Sequence, residues 1–267
     1  MLIFAGCDVG STTGKVVLID DNASILGAAV VRSARGPQAT AEHAFAEAFA
    51  NAGLPRETAV AYTVSTGYGR NGIDMAQEDI SEISCHARGA YHVNPEVQTI
   101  VDIGGQDCKV IALNKKGRVL DFQMNDKCSA GTGRFFEVMT RVLDCTFEEL
   151  SQSALLSQKP CQISKQCSVF AESEVISLVN ANVPFCDISA GIHDSIARRI
   201  QGMILKVGLV PQLALTGGCA RNPALVKALE RLLDVQMASL SIEPQLMGAV
   251  GAALFARDRW REQQSAD

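Results

Sequence analysis

The sequence predicts an α/β protein whose two domains are similar halves of one chain. Three observations predict it: a strand, turn and strand that occur twice in register, an acidic residue closing the leading strand of each copy, and a strand that runs through a Gly-Gly pair into an amphipathic helix.

The repeat comes first. DVGSTTGKVVLIDDNASIL, from Asp8 to Leu26, lies without a gap over DIGGQDCKVIALNKKGRVL, from Asp102 to Leu120. Asp8 matches Asp102, Gly10 matches Gly104, Lys15 matches Lys109 and Val16 matches Val110. The preceding LIFAGC and QTIVD read as buried strands, so each half offers one carboxylate at a strand end and one glycine turn. Such turns suit phosphate, because glycine lets backbone N–H groups approach an anion, and Ser11, Thr12 and Thr13 add hydroxyl donors. Asp8 and Asp102 are placed to hold Mg2+ through water. One copy of DxGxxxxK would read as a hairpin turn with a solvated lysine; two copies in register favour the phosphate reading.

The segment LALTGGCARNPALVKALERLL predicts a strand to Thr216, a turn at Gly217 and Gly218, then a helix with Asn222 at its N-cap and Pro223 in its first turn. Leu225, Leu229, Leu232 and Leu233 give that helix an apolar face, and the unit makes a platform for a nucleotide base or ribose. GxxxxGK[ST] does not occur.

Two cysteines precede predicted helices. In NDKCSAGTGRFFEVMTRVL, Cys128 comes before a helix with Phe135, Val138, Met139, Val142 and Leu143 on one stripe. In SKQCSVFAESEVISLVNANVP, Cys167 opens a helix with Ala171, Val175, Leu178 and Val179 on one face, ended by Asn182 and Pro184. The free N–H groups of a helix start favour a thiolate and stabilise an anionic thiolate-ligated iron-sulfur centre. Two thiolates do not complete the four-cysteine shell of a 4Fe-4S cluster, so either further cysteines of the same chain join or a two-fold dimer supplies the other pair. A four-thiolate zinc site that joins Cys145 and Cys161 to Cys128 and Cys167 is a weaker alternative, since no CxxC occurs.

Bulk composition narrows the classes. The 267 residues are 47% hydrophobic and 20% charged with a formal net charge of -5, which suggests no nucleic-acid partner. Asp8 and Gly10 interrupt the apolar N-terminal run before a signal core or membrane span develops, so a cytoplasmic protein with no membrane partner is expected. Nine cysteines without a secretory signal point to reduced thiols rather than a disulfide framework.

Beyond these local readings, DVGSTTGK, TGYGRN, SEISCHARGA, VDIGGQDCKVI, FQMNDKCSAGTGRFFEVM, CSVFAESEVIS, AGIH, LTGGCARN and GAVGAAL resemble the activator ATPases of 2-hydroxyacyl-CoA dehydratases, relatives of the ATPase subunits of benzoyl-CoA reductase, over nearly the whole chain. The resemblance implies an actin-like, duplicated ribonuclease H-like fold, with ATP or ADP and Mg2+ in its cleft. It also implies an oxygen-sensitive homodimer sharing one 4Fe-4S cluster, for which Cys128 and Cys167 match the ligand positions. By the same resemblance Ser11, Thr12, Thr13, Gly14 and Lys15 bind phosphates, with Gly104, Gly105, Gly131, Gly217, Gly218 and Gln245 at the nucleotide. Asp8, Asp102 and Gln106 serve Mg2+ and water. Domain I is expected at 1–94, completed by a C-terminal helix at 245–267, and domain II at 95–244.

The implied activity is one-electron donation, driven by ATP, to a heterodimeric iron-sulfur 2-hydroxyacyl-CoA dehydratase of anaerobic fermentation, with ferredoxin or flavodoxin as reductant. A small-molecule kinase of the same fold, a benzoyl-CoA-reductase-type subunit and an actin-type assembly protein are the rival readings.

Bland roles are expected elsewhere. Cys85 and His86 read as structural or interface residues, and Cys7, Cys108 and Cys219 as small residues packed beside strands. No role is assigned to Cys186. Glu172 and Glu174 are expected to complement a helix dipole, His43 and His92 to lie on the surface, and His193 near a helix start. TGYGRN, with Arg70, is either a nucleotide or partner contact or a plain loop.

Overall fold

The computed structural model describes residues 1–164 and 167–266. In chain order the elements are β1 (Phe4–Val9), β2 (Thr13–Ile19), β3 (Ile25–Arg32), α1 (Pro37–Asn51), β4 (Tyr62–Thr66), β5 (Glu78–Asp79), α2 (Glu82–Val93), β6 (Thr99–Ile103), β7 (Cys108–Leu113), β8 (Val119–Asn125), α3 (Gly133–Val142), α4 (Phe147–Leu155), α5 (Ser168–Asn180), α6 (Phe185–Val207), β9 (Leu213–Thr216), α7 (Pro223–Leu233) and α8 (Met247–Ala266). They fall into two units. The first takes Met1–Val97, Leu113–Leu120 and the chain from Ser239; the second takes Gln98–Ala112 and Asp121–Ala238.

The first unit holds a sheet of order β3-β2-β1-β4-β5. The hairpins β1–β2 and β2–β3 are antiparallel, whereas β4 lies parallel to β1. β1 is buried at every position, which explains its continuous apolar run in place of the alternation of a half-exposed strand. On one side Phe45 and Phe49 of α1 pack with Val16, Leu18 and Val31. On the other lies α8, whose buried Ala249, Ala252, Ala253 and Ala256 let it approach closely, and Trp260 meets Phe4 edge-on at 5.8 Å.

In the second unit the sheet order is β8-β7-β6-β9, with β6–β7 antiparallel and β6–β9 parallel. Its core joins Val101, Ile103 and Val110 to Phe135, Phe136 and Met139 of α3, Val175 of α5, and an isoleucine row on α6 at 188, 192, 196, 200 and 204. That row recurs every four residues, which keeps one helix face on the sheet over the length of α6. Asn222 caps α7, its Oδ1 accepting the Leu225 N–H at 3.1 Å, with Pro223 following. Two expected details differ. Val179 of α5 is exposed, and β8 is exposed from Val119 to Phe122, so the second copy of the repeat ends in an edge strand open on both faces.

The strands β1, β2 and β4 of one unit thus correspond to β6, β7 and β9 of the other. Asp8 faces Lys15 on one neighbour and Thr66 on the other; Asp102 faces Lys109 and Thr216 in the same register.

Candidate functional site

Each copy of the repeat builds the same turn. Gly10 N–H donates to Thr13 O at 3.0 Å, and Gly104 N–H donates to Asp107 O at 3.0 Å. In the first turn Ser11 and Thr12 are exposed; in the second, Gln106 is exposed and Gly105 half-exposed. Lys15 Nζ lies 3.2 Å from Asp8 Oδ2. Lys109 Nζ lies 3.4 Å from Asp102 Oδ2 and 2.8 Å from Asp107 Oδ2. Both lysines therefore pair across the hairpin with buried carboxylates, which fixes the carboxylates at the strand ends instead of leaving the lysines solvated.

The strand parallel to the leading strand in each unit adds a feature absent from the expectations above. β4 and β9 both end in Thr-Gly, at Thr66-Gly67 and Thr216-Gly217, and both glycines have positive φ, 94° and 80°. A Cβ on Gly67 would meet Asp8 Oδ1 at 2.5 Å, and one on Gly217 would meet Asp102 Oδ1 at 2.9 Å. Each glycine thus leaves the face of its carboxylate open. The signal was in the sequence as a strand followed by TG in TGYGRN and again in LTGGCARN. Arg70 braces the first of these turns, its Nη1 donating to Gly67 O at 3.3 Å and its Nε 3.2 Å from Asp79.

Around Asp8 the packing is tight. A Cβ on Gly248 of α8 would come within 2.9 Å of Asp8 Oδ2 and 3.0 Å of His86 Nε2, so carboxylate and imidazole border one small space. Cys85 and His86 are both buried, which rules against a surface interface role and places His86 beside the carboxylate. Burial pushes the Cys85 thiol up to about 12, Cys7 to about 12, Cys219 to about 12 and Cys108 to about 11. These thiols stay protonated and act as packing residues.

The remaining nucleotide candidates sit on separate elements of the chain. Gly14 lies within β2, where a Cβ would meet Thr40 Cγ2 of α1 at 2.5 Å, so its missing side chain serves helix packing. Gly218 begins a 3-10 turn, and Gln245 is buried in the turn before α8. Gly131 has φ 89° and borders the Arg199 side chain.

Cys128 lies half-buried in the loop 126–132, and Cys167 is exposed as the N-cap of α5. Only Cys167 sits at a helix end proper, because Thr132 caps α3. The Cys128 loop is held by Asn125, whose Nδ2 donates to Cys128 O at 2.8 Å and Ala130 O at 3.2 Å. Gly133 N–H donates to Gly104 O at 2.9 Å and Arg134 N–H to Gly105 O at 2.8 Å, so the start of α3 hangs directly on the second turn. Ahead of Cys167, Glu174 accepts from Ser164 N at 3.0 Å and Ser164 Oγ at 2.9 Å; it secures the preceding loop, a different task from complementing its own helix dipole.

Two other expectations change. His193 lies inside α6, its Nδ1 2.7 Å from Ser189 O and its Nε2 2.9 Å from Asn222 Nδ2. Since Asn222 Oδ1 accepts from Leu225, Nδ2 must face the imidazole, so His193 is neutral with its proton on Nδ1; burial lowers its pKa in the same sense. Burial also raises the thiols of Cys145 and Cys161, and among the described residues no group of three or more His, Cys, Asp and Glu stands ready for a metal.

A hairpin with an added parallel strand, its leading strand ending in a carboxylate, occurs once in each unit, and this duplication is that of the actin-like ATPase fold. The chain belongs to the BadF/BadG/BcrA/BcrD ATPase family, whose model matches residues 5–256, and is an ATPase. It is 43% identical over 252 residues to the (R)-2-hydroxyglutaryl-CoA dehydratase activating ATPase of Acidaminococcus fermentans, covering 94% of this chain and 95% of that one. The structure of the activator of the 2-hydroxyisocaproyl-CoA dehydratase from Clostridium difficile with bound ADPNP is similar with a TM-score of 0.92 and 40% identity, covering 100% of this chain and 98% of that one. A ROK family glucokinase from Streptomyces griseus, at 12% identity and a TM-score of 0.57 over 96% of this chain and 99% of its own, shares the fold alone.

Proposed function

We propose that this ATPase is the activator of a 2-hydroxyacyl-CoA dehydratase, a homodimer that holds one 4Fe-4S cluster through Cys128 and Cys167 of each subunit and takes its electron from ferredoxin or flavodoxin. Bound there, the cluster supplies a one-electron site. The donor set fits half of such a centre: two thiols that are not deeply buried, on segments joined by a hydrogen bond between Ser129 and Ser168. Asp8 and Asp102 are the residues that would hold Mg2+ through water, Gln106 is positioned by its exposed turn to order a water, and the turn amides with Ser11, Thr12 and Thr13 bind phosphate.

The observation that carries the reading is the pair of main-chain bonds from Gly133 and Arg134 to Gly104 and Gly105. A phosphate-sensitive turn and a cysteine-bearing loop are thereby neighbours on one hydrogen-bonded strip. A shift of the turn with nucleotide state is transmitted to the Cys128 loop without any intervening side chain. An ATP-gated electron donor needs such a route from its nucleotide to its thiols.

The test is anaerobic purification followed by iron analysis and an absorption spectrum. About four irons per dimer are expected, lost in Cys128→Ser and in Cys167→Ser. Four irons per chain would refute the shared cluster, and an iron-free protein that phosphorylates a small molecule would replace this function with a kinase.

A further inference from the structure

The residues that directly follow the two candidate ligands touch each other. Ser129 Oγ lies 2.6 Å from Ser168 Oγ, a short hydroxyl–hydroxyl bond that is part-buried. Ser168 is the first residue of α5 and is 9% exposed; Ser129 is half-buried in the Cys128 loop.

Both partners are themselves held in place. Ser129 O accepts from Thr132 N at 3.1 Å and Thr132 Oγ1 at 2.7 Å, which closes the loop into a compact turn just before α3. The Asn125 side chain holds the carbonyls on either side of Ser129. On the α5 side, Cys167 O accepts the Ala171 N–H at 2.9 Å, so the backbone between Cys167 and Ser168 already belongs to the helix. A bond between two rigid segments transmits position, whereas a bond between two mobile ones does not.

We propose that the Ser129–Ser168 hydroxyl pair is a positioning clamp that sets the spacing of the two thiols within one chain. It also makes Cys167 follow the Cys128 loop when the Gly104–Gly105 turn moves. The main-chain bonds of the Gly104 turn end on α3, which meets α5 through apolar packing of Phe135 and Met139 with Ala171 and Val175; the hydroxyl pair adds a directional bond between the two cysteine-bearing segments themselves. Neither serine is a ligand; the pair acts through the cysteines beside it. This inference rests on the cluster reading above.

Ser129→Ala, Ser168→Ala and the double variant are purified anaerobically as holoprotein beside Ser129→Thr, which keeps a hydroxyl. Three quantities are read: iron per dimer, the rate of iron loss to a chelator, and the electron paramagnetic resonance spectrum of the reduced protein. Each alanine variant is expected to lose iron about tenfold faster than the unaltered protein and to show an altered spectrum. The double variant is expected to match the singles, because both remove the same bond, and Ser129→Thr to behave as the unaltered protein. If Ser168→Ala does not fold, Ser129→Ala at the more exposed end reads the same bond.

Iron loss and spectra unchanged in the alanine variants, or losses that multiply in the double variant, overturn the clamp while leaving the cluster in place. Unaltered protein that carries no iron overturns the cluster reading and the clamp with it.

Discussion

In the first unit Lys15 pairs with one carboxylate among the described residues, Asp8 at 3.2 Å, whereas in the second Lys109 is held between Asp102 and Asp107, at 3.4 and 2.8 Å. The threonines differ in the same way. Thr216 Oγ1 donates to Asp102 Oδ1 at 2.8 Å, while Thr66 Oγ1, buried near the Cys85 thiol, makes no hydrogen bond of ordinary geometry among the described residues. The backbone of the repeat is therefore duplicated closely and its polar shell is not. Asp102 is oriented by Lys109 and Thr216, whereas Asp8 is bordered by Lys15, His86 and the bare face of Gly248. Duplication preserved what the turn geometry demands, and the side chains around each carboxylate diverged.

Substitutions can break this comparison. The largest effect is expected where the two units agree: Gly67→Ala and Gly217→Ala each combine positive φ with a clash against backbone oxygen, Val9 O in one case and Ile103 O in the other. Each is expected to lose more than about 4 kcal/mol in denaturant unfolding, against about 1–2 kcal/mol for Gly36→Ala, where φ is 101° and the space is open. A large difference between Gly67 and Gly217 would show that the turns are not equivalent.

The lysines should separate the units. Lys109→Met leaves two carboxylates without their shared cation and is expected to cost about 3–5 kcal/mol, while Lys15→Met, which frees one, is expected to cost about 2 kcal/mol. Equal losses in the two unfolding curves would mean that Asp107 adds nothing to the second site. The smallest contrast lies in the threonines. Thr216→Val is expected to cost about 1–2 kcal/mol because a buried carboxylate loses a donor, and Thr66→Val to be close to neutral because no ordinary hydrogen bond is lost. A costly Thr66→Val would reveal a working partner for that hydroxyl.

Much of this was legible in the sequence. The in-register repeat gave both Asp-Lys hairpins, and Asn222-Pro223 gave the start of α7. Turn formers, caps and hydrophobic period act between residues a few positions apart, so their chemistry survives without the fold. The exposed face of β8 was not legible, because an edge strand and a buried one carry similar apolar residues and only the neighbours decide which is covered. His193 was read as lying near a helix start because nothing local reveals a bond to Asn222.

By itself, then, the sequence determined two carboxylate-bearing glycine turns and two cysteines set ahead of helices, since each of these rests on neighbouring residues. Only the tertiary structure decided that Thr216 orients Asp102, that the start of α3 hangs on the Gly104 turn, and that Ser129 meets Ser168. These partners are 114, 29 and 39 residues apart in the chain, and at such separations contact depends on how the helices and strands pack, for which no local pattern codes.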